Sequence, residues 1–193
     1  TEIVPWQHIV DTFRLEDVNH SPAFFDIQKL QAFNGEYIRK MPLEVFIAEC
    51  EPFLTGETMP WPAGNFKQDI FRGMAELVQT RVTALTEVPA MVDFFFLDEP
   101  AIDEASWAKA TKDEWASAVL SETAAAYATA EWNHDALKAV IEQVGEKHGL
   151  KLGKVQAPIR VAITGRTVGP PLFESLEILG RDRSLARIAA AIK

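Results

Sequence analysis

Apolar residues recur along this chain at three- and four-residue spacing, the signature of helices with one buried face. Trp6, Ile9, Val10 and Phe13 share one side of a short helix over residues 5–14. Ser21-Pro22 reads as an N-cap followed by the first helical residue, opening a second helix. Along it Ile27, Leu30, Phe33, Tyr37, Ile38 and Met41 keep the period. Asn34-Gly35 interrupts that helix. Glycine costs about 1 kcal/mol in a helix interior, so the pair marks a place where another backbone comes close. Pro42 closes or restarts the helix, and Leu43, Phe46, Ile47 and Phe53 continue the pattern around Cys50. After a loop-like stretch at 55–64, a helix from about Phe66 carries Phe66, Ile70, Met74, Leu77, Val78 and Arg81 along its face. Pro89 starts a short helix ending in Phe94-Phe95-Phe96, and Leu97-Asp98-Glu99-Pro100 forms a junction. Residues 103–131 read as two helices. A further one at 134–148 turns Leu137, Val140, Ile141 and Val144 inward and stops at Gly149.

The last quarter is less regular. Ile159, Val161 and Ile163 alternate as a strand would. No second strand-like segment exists to pair with them, so helix or extended backbone is expected. Thr164-Gly165-Arg166 follows, then a Gly169-Pro170-Pro171 corner and a brief amphipathic helix with Leu172, Phe173, Leu176 and Leu179 on one face. Gly180 sits where a left-handed helix cap is wanted. The expected fold class is all-α, with no internal repeat.

Composition narrows the class. A chain of 193 residues with 48% hydrophobic and 24% charged residues can bury a core as one large or two small domains. The densest apolar run, residues 94–97, is far short of the ~20 residues of a membrane span, so no membrane partner and no secretory leader are expected. One cysteine, Cys50, cannot form an internal disulfide, which fits a reducing, cytoplasmic setting. Its apolar neighbours favour a structural thiol. Because the chain begins at Thr1 within a folded-looking segment, we expect it to be a piece of a longer protein.

Net charge is −9, but it is unevenly spread. Residues 150–193 hold eight basic side chains (Lys151, Lys154, Arg160, Arg166, Arg181, Arg183, Arg187, Lys193) against Glu174, Glu177 and Asp182. That is a net of +5, leaving −14 for residues 1–149. The basic tail either meets an anionic partner or pairs with the acidic part of its own chain.

Enzyme templates are missing from the sequence: no P-loop, no dinucleotide glycine motif, no Gly-x-Ser-x-Gly elbow. His8, His20, His134 and His148 are scattered singly, without zinc-site spacing. The acid pairs Asp98-Glu99 and Asp103-Glu104 fall at loop or helix starts, where carboxylates favour the helix dipole. Catalysis by this chain alone is not expected. RNA recognition fits better, since single-stranded loops are read by splaying bases onto side chains and bonding their edges. Arg160, Arg166, Arg181 and Arg183 flank the stiff Gly-Pro-Pro corner, whose backbone is suited to a base edge. The bland counterpart is a buried helical hairpin with solvated arginines.

Two motifs resolve that choice by resemblance. Arg160-Val161-Ala162-Ile163-Thr164-Gly165, then Gly169-Pro170-x-Leu172-Phe173-Glu174 and Leu179-Gly180-Arg181-Asp182-Arg183, closely resemble the C-terminal signature of bacterial-type glutamyl-tRNA synthetases. Ser21-Pro22-Ala23-x-Phe25-Asp26-x-x-Lys29-Leu30-x-x-x-Asn34-Gly35-x-Tyr37-Ile38-Arg39 is similar to the segment those enzymes carry just after their signature lysine loop. The resemblance implies a remnant of the stem-contact region at 1–42 and a two-part helical anticodon-binding cage at 43–100 and 101–193. It implies that Arg160, Pro170, Leu172 and, through its backbone, Gly169 meet the anticodon. Arg81 falls where some members place an arginine that checks the third anticodon base, an arrangement of the stricter, glutamate-only type. The family's histidine motif and lysine loop are absent here. ATP and Mg would therefore belong to a catalytic domain on the same longer chain, and this fragment needs no cofactor or metal of its own. Glutamate tRNA is the implied partner, and a monomer the expected state. The competing reading is a helical protein-interaction module with an acidic docking face.

Overall fold

The computed structural model describes residues 3–19, 24–56, 59–62 and 64–192. Among them are eleven α-helices and no strand. They are α1 (Trp6–Thr12), α2 (Ile27–Lys40), α3 (Leu43–Leu54), α4 (Gln68–Gln79), α5 (Val88–Phe96), α6 (Glu104–Ala110), α7 (Trp115–Tyr127), α8 (His134–Lys147), α9 (Leu152–Thr164), α10 (Leu172–Leu179) and α11 (Arg181–Ile192). Short 3-10 turns occupy Leu15–Asp17 and Leu85–Glu87.

The expected cap at Ser21-Pro22 lies outside the described residues, as do Thr1, His20, Ala23 and Lys193. The cap that is seen is Asp26, whose carboxylate accepts from the Lys29 N–H at 3.0 Å. Each such cap satisfies one of the four N–H groups a helix start leaves without a partner. Asp103 and Asn133 do the same for α6 and α8. Pro42 breaks the chain between α2 and α3, and the loose carbonyls at that break are taken up by a side chain. Gln79, 6% exposed, donates to the Ile38 and Met41 carbonyls, both at 2.7 Å.

Asn34-Gly35 does admit a neighbour. The Asn34 amide donates to the Thr83 carbonyl at 2.6 Å, and a Cβ on Gly35 would lie 3.4 Å from the Thr83 methyl. The pair thereby seats the loop that follows Arg81. Thr83 itself is held by Glu87, through its N–H at 3.0 Å and its hydroxyl at 2.7 Å.

One contiguous core runs from Ile38 to Ile188. Helices α3, α4 and α5 pack on one another, and α6 to α11 form a second group in which α9 touches α6, α7, α8 and α11. Helix α10 leans across onto α4 and joins the two. The central place of α9 explains its ambiguous sequence. Val155, Ile159, Val161, Ala162 and Ile163 are all buried, because neighbours cover the helix on several sides and no polar stripe survives to mark the helical period. The apolar residues of α1 behave in the opposite way. Trp6 is 75% exposed and Phe13 63%, so their shared face meets no core here. Phe24, Phe25, Ile27 and Leu30 are exposed as well.

One glycine differs from expectation. Gly180 has φ +86° and ψ 158°, an extended mirror-image conformation that sends the chain straight from α10 into α11, not a left-handed helix cap. The left-handed cap is Gly165, with φ +80° and ψ −8°. A Cβ there would lie 2.2 Å from the Ala101 carbonyl oxygen, and the Gly165 carbonyl accepts from the Asp103 N–H at 2.8 Å. Gly149 is also left-handed, at φ +65°, but open space surrounds its missing side chain. Gly149→Ala is therefore expected to cost about 1–2 kcal/mol, the backbone strain alone. Gly165→Ala should cost about 3 kcal/mol or more, because the junction backbone must also move. Urea unfolding of the two variants beside the parent chain checks the difference.

Candidate nucleic-acid interface

The C-terminal arginines divide into two groups by what surrounds them. A helix end leaves its last four carbonyls without partners inside the helix, and guanidinium groups fill that need here. Arg183 donates to the Phe95 carbonyl at 2.9 Å and the Leu97 carbonyl at 2.8 Å, at the end of α5. Arg187, 6% exposed, donates to Ile163 at 2.8 Å, Phe94 at 2.7 Å and Leu97 at 2.9 Å. Burial lowers its pKa to about 10, still far above neutrality. Arg181 lies over the Trp132 ring and donates to the Ala128 and Ala130 carbonyls beyond α7. Arg166 bonds the Ala90 carbonyl and pairs with Asp93 on α5. Of the four arginines flanking the corner in sequence, three are thus engaged within the protein and are not simply solvated. Arg181 and Arg183 cover carbonyls at the ends of α7 and α5, and Arg166 ties the end of α9 to the body of α5.

Arg160 and Arg81 differ. Arg160 projects half-buried from α9, and one Nη donates to the Pro170 carbonyl at 2.7 Å. Arg81, exposed just beyond α4, folds onto its own helix end through the Leu77 carbonyl at 2.9 Å and Thr80 Oγ1 at 3.1 Å. The two side chains come from different helix groups yet sense each other. Burial first, and then the Arg81 charge, push the Arg160 guanidinium below its ordinary pKa, while Glu174 on α10 partly offsets them. Among the described residues neither arginine forms an ion pair. Two neighbouring cations with N–H groups left over form a local site for anionic or acceptor-rich groups.

The corner residues complete the site through their backbone. Pro170 is buried and Leu172 is 1% exposed, so their side chains belong to the core and not to a ligand surface. Gly169 is partly open, and a Cβ there would sit 3.9 Å from the Arg160 guanidinium. Helix α10 begins at Leu172 without a side-chain cap, so the first N–H groups of its opening turn have no partner within the helix. Arg160, Gly169 and Pro170 are thus neighbours, with Leu172 opening the helix that follows, while Arg81 is near enough for its charge to act on Arg160. Sequence reasoning missed the exposed tip, Thr167 and Val168, the latter 69% exposed. An apolar side chain in a segment otherwise read as a rigid corner was the available signal. It also missed the negative charge of Glu174 near Arg160.

A family model described as an anticodon binding domain matches residues 45–192, more than half of the chain. The chain belongs to the anticodon-binding-domain family. It is similar to the glutamate–tRNA ligase of Salinispora tropica, 55% identical over 98% of this chain and 42% of that protein. It is similar also to the glutamate–tRNA ligase of Thermobifida fusca, 52% identical over 100% of this chain and 41% of the other. The chain thus spans about two-fifths of the length of the relatives it matches. Among solved structures, a glutamate tRNA ligase from Elizabethkingia meningosepticum superposes with a TM-score of 0.78 at 24% identity, over 100% of this chain and 37% of that one. The glutamate-tRNA synthetase of Elizabethkingia anophelis gives 0.76 at 25% identity, with the same coverage. The all-helical fold is the one these structures share. Among the described residues no helix is long and apolar enough to cross a membrane.

Helix α10, which carries the corner, is moored at its outer face by His134. Both the N–H of His134 and its ring contact the Glu177 carboxylate, at 3.0 and 2.8 Å. The Glu177 hydrogen bond, then the charge of Asp135, raise the imidazole pKa above its ordinary 6.5. The same bond lowers the Glu177 carboxyl below its ordinary 4.5. The imidazolium contribution is complete below the unfolded histidine value and is lost as pH rises through the raised folded one. That of Glu177 is present above 4.5 and is lost as pH falls through its lowered value. The stability advantage of the parent chain over His134→Gln should thus be largest between about pH 4.5 and 6.5 and shrink in alkaline solution, as thermal melts across pH will show.

Proposed function

We propose that this chain is the C-terminal, tRNA-binding part of a glutamate–tRNA ligase and grips the anticodon loop of glutamate tRNA. The observation that carries this reading is Arg160 set against the 169–172 corner, where it donates to the Pro170 carbonyl, with α10 joining that corner to α4, the helix Arg81 follows. Unstacked anticodon bases present acceptor-rich edges, and a guanidinium with spare donors bonds such edges in a fixed plane. The uncapped start of α10 adds backbone N–H donors to this reading. Names of the most similar relatives supply glutamate as the tRNA identity.

In this reading residues 43–100 and 101–193 are the two parts of the anticodon cage, and residues 1–42 belong to the stem-contact region. The exposed apolar face carrying Trp6, Phe13, Phe24 and Phe25 is where the catalytic domain of the longer cytoplasmic protein lies. ATP and Mg act on that domain, and the tRNA-binding part works as a monomer without a cofactor. In this reading Arg81 checks the third anticodon base.

Titration of the chain against glutamate tRNA and anticodon-swapped transcripts tests the proposal. Binding should weaken as salt rises, through loss of counterion release. Arg160→Ala and Arg81→Ala should each cost about 1–3 kcal/mol on the cognate anticodon and narrow the gap to swapped ones. Lys193→Ala should trim binding alike for all transcripts. Equal binding of every anticodon by the parent chain would overturn the reading and favour a protein-docking role.

A further inference from the structure

Arg81 and Arg160 can act on one loop only if their separation is held, and they sit on different helix groups. Arg81 ends α4, which packs with α3 and α5. Arg160 is on α9, at the centre of the other group. Two sets of contacts link the groups near these residues: α10 packs on α4, and side chains from the end of α9 and from α11 reach α5. Arg166, just past the end of α9 and six residues beyond Arg160, reaches back to the Ala90 carbonyl and to the Asp93 carboxylate. Both partners lie on α5. From α11, Arg187 holds the Ile163 carbonyl of α9 and the Phe94 carbonyl of α5 in one guanidinium.

The Asp93–Arg166 pair is an odd way to gain stability. Asp93 is 9% exposed, and its Oδ1 is buried without a hydrogen-bond partner although Oδ2 meets Arg166. A half-satisfied buried carboxylate generally loses to an apolar residue of like volume in stability terms. What an ion pair supplies that an apolar contact does not is register, since two charges with directional donors accept one alignment. The segment also leads directly into the corner. Gly165, locked against Ala101, precedes Arg166, and Gly169 follows three residues later.

We propose that Asp93 and Arg166 are positioning residues: their ion pair sets the alignment of α5 against the end of α9, and so the spacing of Arg81 from Arg160 at the RNA. This rests on the anticodon reading above. The pair acts through the two arginines and touches no base itself, which a buried Asp93 could not reach in any case. Loss of the pair should leave the folded chain and its general attraction for RNA in place, and should blur discrimination among anticodons.

The test is a double-mutant analysis of binding by the 193-residue chain to glutamate tRNA and an anticodon-swapped transcript, with thermal melting alongside. Asp93→Asn keeps the shape of the side chain and removes the charge; Arg166→Met removes the guanidinium and keeps its apolar stem. Each should reduce the cognate-to-swapped ratio by about five-fold or more in the parent chain. Neither should reduce it further once Arg81 is alanine, because the alignment then has nothing to position. Arg166→Lys, which retains the charge, should recover most of the ratio.

Equal losses with and without Arg81 would show a structural or direct-contact role and overturn the inference. An effect of Arg166→Met without one from Asp93→Asn would do the same, since it would mean Arg166 meets the RNA directly. Should either variant melt too low to assay, the Arg166→Lys comparison decides, with an unaltered ratio as the result required. If Arg81→Ala and Arg160→Ala leave anticodon discrimination intact, the function itself is wrong and the positioning claim falls with it.

Discussion

A single buried guanidinium ties this structure together. Arg187 reaches from α11 to the ends of two helices, taking the Ile163 carbonyl of α9 and the Phe94 and Leu97 carbonyls at the end of α5. Removing such a group from water costs several kcal/mol. Hydrogen bonds to a charged donor offset that at about 1.5–3 kcal/mol each, and the carbonyls would otherwise be buried without partners. Arg183 adds two more bonds to the same end of α5, and Arg181 closes the end of α7. The helix groups share one apolar core, and these cations, placed where helix dipoles are negative, tie their helix ends across it.

This use of arginine changes how the charge asymmetry is understood. A C-terminal segment of net +5 in a chain of −9 looks like a surface for an anion. Much of that charge is in fact internal, satisfied by carbonyls and by Asp93. Lys154 meets Asp113 at 3.2 Å across to the acidic part of the chain. Arg160, at the corner, and Arg81 stand outside that set of internal ties and form no ion pair among the described residues. A small cationic site on an acidic protein suits recognition of particular bases better than broad attraction to phosphate, since the bulk of the surface repels the backbone.

The helical architecture was legible because amphipathic periodicity survives wherever one face of a helix meets water, as in α4 and α8. It failed on α9, where burial on several sides removed the polar stripe, and it misled at α1, whose apolar face is exposed here. The close approach at Asn34-Gly35 was legible from composition alone. Its partner, Thr83, was not, because nothing in a linear chain says which loop will arrive. The site was legible as a neighbourhood through its corner and its family signature. The roles of individual arginines were not. Arg160 and Arg187 look alike in sequence, and only the packing of α5 beside α9 and α11 decides which one finds buried carbonyls. Leu172 and Pro170 illustrate the converse: they belong to the site by position, while their side chains serve the core.

The division between structural and available arginines can be observed directly by NMR of arginine Nε–Hε groups, before and after adding an anticodon stem-loop of glutamate tRNA. The account predicts that the Arg81 and Arg160 signals shift on addition, while those of Arg183 and Arg187 stay in place and exchange slowly with solvent throughout. Shifts at Arg183 or Arg187 with none at Arg81 and Arg160 would contradict it.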